Sequence, residues 1–275
     1  MAAVTSAGAT FNTTAGIKTV TATPALADLI VVCQFCSGIT AATGLGITDN
    51  NADGHGTYVN IGNTLAQSST SIFIFWIRAD LIQKAASTVF TTVGDGASTG
   101  GGLQVWRISG MSIAGPAALR QRGANANQTA GGTPAPNLAT GAALTTNPLL
   151  GAVFNSTSPA TMTPPASWTE DNDLGYATPT SGMETVHINS GFTGSTVTWG
   201  STSASIFSVQ AYEFDASAAG KHGQAQEERG DPFSLQTMDR IGVTRGAYYC
   251  LGEKWAKRRR SGLWVPSADR PLAIA

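Results

Sequence analysis

Charge is scarce in this chain. Of its 275 residues only 12% are Asp, Glu, Lys or Arg, about half of the ~25% usual in soluble domains. Lys and Arg are missing altogether between Arg122 and Lys221. A body that held nucleic acid would need phosphate-neutralising side chains along such a stretch, so nucleic acid is excluded as a partner of the body. Cysteine is limited to Cys33, Cys36 and Cys250, and an odd count of three is not an extracellular disulfide framework. No strongly apolar run exceeds residues 71–77, far short of the ~20 residues of a membrane-spanning helix. No membrane partner is expected. The opening Met1-Ala-Ala-Val-Thr-Ser6 has neither the basic start nor the apolar middle of a secretory leader. Helical spacing is nearly absent too; only residues 79–86 leave room for one short helical turn.

Small residues fill the space left by charge. Ala, Thr, Gly and Ser make up 131 of the 275 positions, yet 42% of the chain is hydrophobic. That is enough for a sizeable core, and the β-branched and aromatic content argues against disorder throughout. Short runs rich in Val, Ile, Phe, Trp and Thr recur between Gly, Asn, Asp and Pro, which is the strand pattern. They lie at residues 28–35, 70–77, 87–93, 102–108, 149–154, 183–188, 195–199 and 206–214. In the last run Phe207, Val209 and Ala211 alternate with Ser208 and Gln210, as for one buried and one wet face. The expected fold is all-β: an antiparallel β-sandwich, jelly-roll or immunoglobulin-like, with a closed barrel as the alternative. Residues 110–146 read as a long loop, in which 123–136 cross the surface between two sheets. Residues 94–102 read as a Gly-rich hairpin loop without the Lys of a phosphate loop.

Charge divides the chain near residue 217. Residues 1–215 carry a net of -5 and residues 216–275 a net of +4. The expected organisation is a body over 1–217 and a largely irregular C-terminal arm over 218–275. The arm holds the sharpest local feature, Lys254-Trp-Ala-Lys-Arg-Arg-Arg260. Its residues Tyr248, Tyr249, Trp255, Lys257, Arg258, Arg259, Arg260 and Trp264 combine aromatics with Arg, the usual anchors of protein interfaces. A lone run of four cations binds nucleic acid weakly at physiological salt, so docking on protein is the favoured reading over a solvated basic turn. Arg229-Gly-Asp231 matches an adhesion tripeptide, but three residues recur too often by chance to count.

Motifs that carry chemistry are weak. Asp49, Asn51 and Asp53 followed by Gly54 match the start of a calcium loop, but Asn60 stands where the bidentate Glu belongs. A polar turn between strands accounts for the same residues. Cys33 and Cys36 have redox or zinc spacing, yet inside a strand they point to opposite faces. They read as semi-buried side chains. His187, near Glu184, is the best base for a Ser- or Cys-dependent triad, but no Gly-x-Ser-x-Gly elbow is present. His187 is therefore read as a strand residue facing solvent or a neighbour. The acids Glu170, Asp171 and Asp173 follow Trp168 closely and read as one exposed loop, whereas a glycosidase needs two carboxyls facing across a cleft. No catalytic residue, metal or cofactor is expected, and the chain is not expected to be an enzyme.

The succession Leu26-Ala-Asp-Leu-Ile-Val-Val32, Gly46-Ile-Thr-Asp-Asn50 with Tyr58, Ser71-Ile-Phe-Ile-Phe75, Ala166-Ser-Trp-Thr169, Val197-Thr-Trp199 and Val209-Gln-Ala-Tyr-Glu-Phe214 resembles β-sandwich structural proteins of tailed-bacteriophage virions. These are tail accessory, fibre, spike and head-decoration proteins. The resemblance covers about residues 15–215 and rests on strand order; the C-terminal segment falls outside it. It implies a virion component that joins other virion proteins and copies of itself as a homo-oligomer, with no catalytic residues to carry over. The alternative is a carbohydrate- or host-receptor-binding module of a tail fibre or spike. That reading predicts an exposed aromatic platform at Trp168 and Tyr176.

Overall fold

Two of the apolar runs are unbroken. Leu29–Ser37 and Ser71–Arg78 are buried at every position. A strand resting on one layer would alternate; continuous apolar sequence requires cover on both faces. The computed structural model, which describes residues 2–12, 16–39, 42–62, 65–67, 71–155, 158, 161–177 and 180–216, supplies that cover as three stacked layers.

In chain order the strands are β1 (Ala3–Asn12), β2 (Thr19–Ala22), β3 (Leu29–Ser37), β4 (Gly46–Asp49), β5 (Tyr58–Asn60), β6 (Leu65–Gln67), β7 (Ser71–Arg78), β8 (Thr88–Val93), β9 (Gly100–Ser109), β10 (Leu119–Gln128), β11 (Leu149–Asn155), β12 (Thr169–Ala177), β13 (Thr180–Ile188) and β14 (Phe207–Phe214). The central sheet runs β1-β9-β3-β7-β5, with β6 also on β7. A small sheet, β2-β8-β4, packs on one side of it. A five-stranded sheet, β10-β14-β11-β13-β12, packs on the other. Every pairing is antiparallel. The expected antiparallel sandwich is therefore present, with one layer more than two sheets provide.

Each interlayer has its own side chains. Val31, Phe35, Phe73, Phe75 and Trp106 of the central sheet meet Phe154, Met183 and Tyr212 of the five-stranded sheet. Phe75 stacks on Trp106 with ring centroids 5.7 Å apart, and Phe35 lies 4.1 Å from Phe154. On the opposite face Val32, Ile74, Trp76 and Val105 meet Ile47 and Phe90 of the small sheet. Cys33 and Cys36 fall in these two different interlayers, both buried and unbonded to each other. The outer face of the five-stranded sheet is closed by chain outside the strands, through Leu138, Met162, Trp168, Val197 and Trp199.

Several expectations are corrected. Residues 79–86 form no helical turn. Ile82 instead pins the loop, exchanging backbone bonds with Ala27 and Asp28 while its side chain enters the small-sheet interlayer. The Gly-rich segment 94–102 is not a hairpin loop, because β8 and β9 belong to different sheets; it carries the chain from one layer to the next through a 3-10 turn at Asp95–Ala97. Much of 119–128, expected as loop, is β10, laddered on β14. Its Gly123 is needed because the backbone of Asn137 passes so close that a Cβ there would meet the Asn137 carbonyl oxygen. Residues 195–199 form no strand, only a single bridge from Thr196 to Asn137. The wet face expected in β14 is buried as well: Ser208 and Gln210 are fully covered, and Gln210 Nε2 donates to the Phe73 carbonyl across the interlayer.

Candidate functional site

Three groups of polar side chains are positioned by this frame. The first is the turn after β4. Antiparallel pairing of β4 with β8 buries Asp49 at the strand end. Asp49 Oδ1 accepts from the Asn51 and Gly56 backbone N–H groups, and Oδ2 accepts from Tyr58 at 2.9 Å and from Arg78 Nε at 3.0 Å. Arg78 Nη2 donates to Asp53 Oδ1 at 2.6 Å. Asp53 Oδ2 accepts from the Gln83 N–H, and Asn51 Nδ2 donates to Thr88 and to the Lys84 carbonyl. Two of the three residues singled out as a calcium-loop start, Asp49 and Asp53, thus turn their oxygens to a guanidinium carried by the last residue of β7, while the Asn51 side-chain oxygen accepts from the Asp53 N–H. Burial pushes the Asp49 carboxyl up, but the donors from Asn51, Tyr58 and Gly56 and the charge of Arg78 outweigh it and hold it below its ordinary value.

The second group lies on β12 and β13. Residues 169–173 are not an exposed loop; they are the first half of the sheet's edge strand, paired with β13. An irregularity between Glu170 and Asn172 turns Asp171 to the inner face. There it accepts from the Trp106 indole N–H at 2.7 Å, and His187 Nδ1 lies 2.8 Å from its other oxygen. His187 therefore faces an interior carboxylate rather than Glu184. Residue parity along β13 sends Glu184 to the outer face, where Trp199 Nε1 donates to its Oε1 at 3.0 Å. Asp173, the register partner of Glu184, accepts from the Met162 N–H at 3.0 Å. Burial raises the Glu184 carboxyl to about 8, with the neighbouring Asp173 adding to it and the Trp199 hydrogen bond opposing it.

Trp168 is 7% exposed and packs edge-to-face on Phe192 with centroids 5.6 Å apart. It is part of the outer-face core, so the exposed aromatic platform expected there is not formed. Tyr176 is placed by backbone opposite Ser181, and its side chain lies outside what is described. Tyr248, Tyr249, Trp255, Lys257, Arg258, Arg259, Arg260 and Trp264 lie outside the described residues.

The third group is a shallow polar notch of about 250 Å³ beside β1, lined by Thr5, Ser6, Ala7, Ala22, Thr23 and Arg107. Arg107 Nη1 donates to the Thr23 carbonyl at 2.9 Å and lies 3.8 Å from Asp28.

Arg78 and the Asp171–His187 pair escaped the sequence reading. One signal for Arg78 was available: a lone cation ending an unbroken apolar strand must find acids where it emerges. For Asp171 the decisive event is a strand irregularity, which side-chain pattern does not announce. Elsewhere, Lys18 lies 3.6 Å from Asp95 with both side chains fully buried, and Glu213 is gathered by Arg120, Gln121, Asn147 and the Leu144 N–H. Among the described residues no cluster of three or more His, Cys, Asp or Glu is arranged to hold a metal, and no helix is long and apolar enough to cross a membrane. A scan against protein-family models finds no match for the chain, and a search of curated proteins finds none either.

Proposed function

We propose that this protein is a structural component of a phage virion, a decoration, neck or tail accessory protein, and not an enzyme. It assembles through contacts with copies of itself and with other virion proteins. One observation carries the reading: the described body uses its charges to join its own elements. Lys18 is turned to Asp95, Arg78 to Asp49 and Asp53, Arg120 to Glu213, and His187 to Asp171. Such groups join neighbouring elements of the body, across two sheets in the case of Arg78, and are not poised over an open cleft. What faces outward is rich in Thr, Ser, Ala and Gly, with Ile17 and Leu26 well exposed. Surfaces of that kind lose little side-chain entropy on association, and the charged residues depleted from interface cores are few to begin with.

The C-terminal residues 218–275 are the proposed docking arm toward other virion proteins, on their charge and aromatic content. Deleting 221–275 leaves a folded body that no longer joins the particle. A truncated chain that assembles at the normal level would refute the arm's role, and electron microscopy of intact particles locates the chain. A second reading, a carbohydrate- or receptor-binding module, draws support from the hydroxyl-lined notch at Arg107. It predicts a glycan-array signal from the purified protein that Arg107→Ala removes.

A further inference from the structure

The outer face of the five-stranded sheet contains an acid that no cation meets among the described residues. Val209, Val153, Glu184 and Asp173 follow one another in register across β14, β11, β13 and β12. Directly opposed residues of antiparallel strands share a face, with Cβ atoms ~5 Å apart. Glu184 is completely buried, and its Oε2 has no hydrogen-bond partner among the described residues. The groups turned toward it can be named element by element. β12 offers Asp173 and, one pair further, Glu170; β11 offers only Val153; the covering chain offers the Trp199 indole and the Met162 backbone. His187 sits on the other face with Asp171. Between Arg122 and Lys221 the sequence has no Lys or Arg to add.

A carboxyl out of water, with a second carboxylate as its register partner, is driven toward its protonated form. A proton on Glu184 resolves this. It removes the buried charge, gives the orphaned Oε2 a hydrogen to donate toward Asp173, and leaves Oε1 to accept from Trp199.

We propose that Glu184, buried beside Asp173, keeps its proton in the folded chain, and that this proton acts as a latch: ionising Glu184 at alkaline pH draws water to the buried charge and releases the Trp199 segment that covers it. On release the proton passes to hydroxide or buffer base, and two negative charges are left side by side beneath Trp199. The indole lies directly over Gly151, where even a Cβ would stand 3.0 Å from Cη2, so the segment seats in close contact with the sheet. The raised carboxyls agree: burial lifts Glu184 and the neighbouring Asp173 adds to it, while burial lifts Asp173 against the opposing Met162 hydrogen bond, with Glu170 adding to it. Because Glu184 titrates above its unfolded value of ~4.3, the folded chain holds the extra proton between about 4 and about 8 and loses stability as pH rises through that range.

The test follows the Trp199 indole N–H by NMR in the full-length chain from pH 6 to 10, the signal being assigned with Trp199→Phe. A transition with a midpoint near 8 is expected, absent in Glu184→Gln, whose amide mimics the protonated acid, and moved to lower pH in Asp173→Asn. Infrared difference spectra at pH 7 between the wild type and Glu184→Gln add a direct readout of a protonated carboxyl. A flat wild-type titration, a transition that persists in Glu184→Gln, or no protonated-carboxyl band at pH 7 would each overturn the latch. Should Glu184→Gln not fold, the wild-type titration, the Asp173→Asn shift and the wild-type infrared spectrum at pH 7 against pH 10 decide the question. None of these outcomes bears on virion assembly.

Discussion

Arg78 reaches from the end of one strand to Asp49 at the end of another, Nε to Oδ2 at 3.0 Å, with the pair almost wholly buried. The strands belong to different sheets, β7 to the central one and β4 to the small one. The pair, completed by Asp53, therefore ties two layers at their rim. It also explains why a loop with the oxygen pattern of a cation site occurs here: the cation is a side chain.

Replacing Arg78 by Met leaves Asp49 buried without its cation. Breaking one partner of a buried pair costs about 3–5 kcal/mol, read as a lower denaturant midpoint. Arg78→Lys restores only part of the loss, because a single ammonium cannot span both carboxylates.

Acid acts through the same group. The Asp49 carboxyl is held below its ordinary value in the folded chain, so the unfolded state binds protons first. Its stabilisation is present above about pH 4 and lost as pH falls further. Asp49→Asn flattens that acid limb of the stability curve; an unchanged limb would contradict the assignment.

Asp171 joins Trp106 of the central sheet to His187 of the five-stranded sheet. Asp171→Asn replaces a charge-assisted acceptor and is expected to cost about 1–3 kcal/mol. A double-mutant cycle with Trp106→Phe should return a coupling well above zero, since the two side chains touch.

Gly151→Val tests the outer layer. A Cβ would lie 3.0 Å from Trp199 and 3.1 Å from Val186 Cγ2, and overpacking of this kind costs about 1–3 kcal/mol. Local hydrogen exchange should rise in residues 195–203 while the central strands stay protected.

The strands buried on both faces were the most legible part of the molecule. Leu29–Ser37 and Ser71–Arg78 announce themselves because solvent touches neither side. Edge and covering elements were not legible. β12 begins Thr-Glu-Asp-Asn-Asp, of which all but the Thr are depleted in strands, and only its ladder with β13 makes it one. β10 reads as a loop because Gly, Ala and Asn fill most of its second half, and at Gly123 the crossing backbone of Asn137 leaves no room for a side chain.

The sequence by itself determined an all-β chain with unbroken core strands, and a middle stretch whose acids have no Lys or Arg among their neighbours in the chain. Periodicity and composition are local quantities, and these features are local. Only the tertiary structure decided which acid meets which partner: Arg78 for Asp49, His187 for Asp171, and for Glu184, among the described residues, an indole and another carboxyl rather than a cation. Those pairings join residues far apart in the chain, and they depend on strand register and on a single irregularity in β12, where one residue more or less reverses the face that a side chain presents.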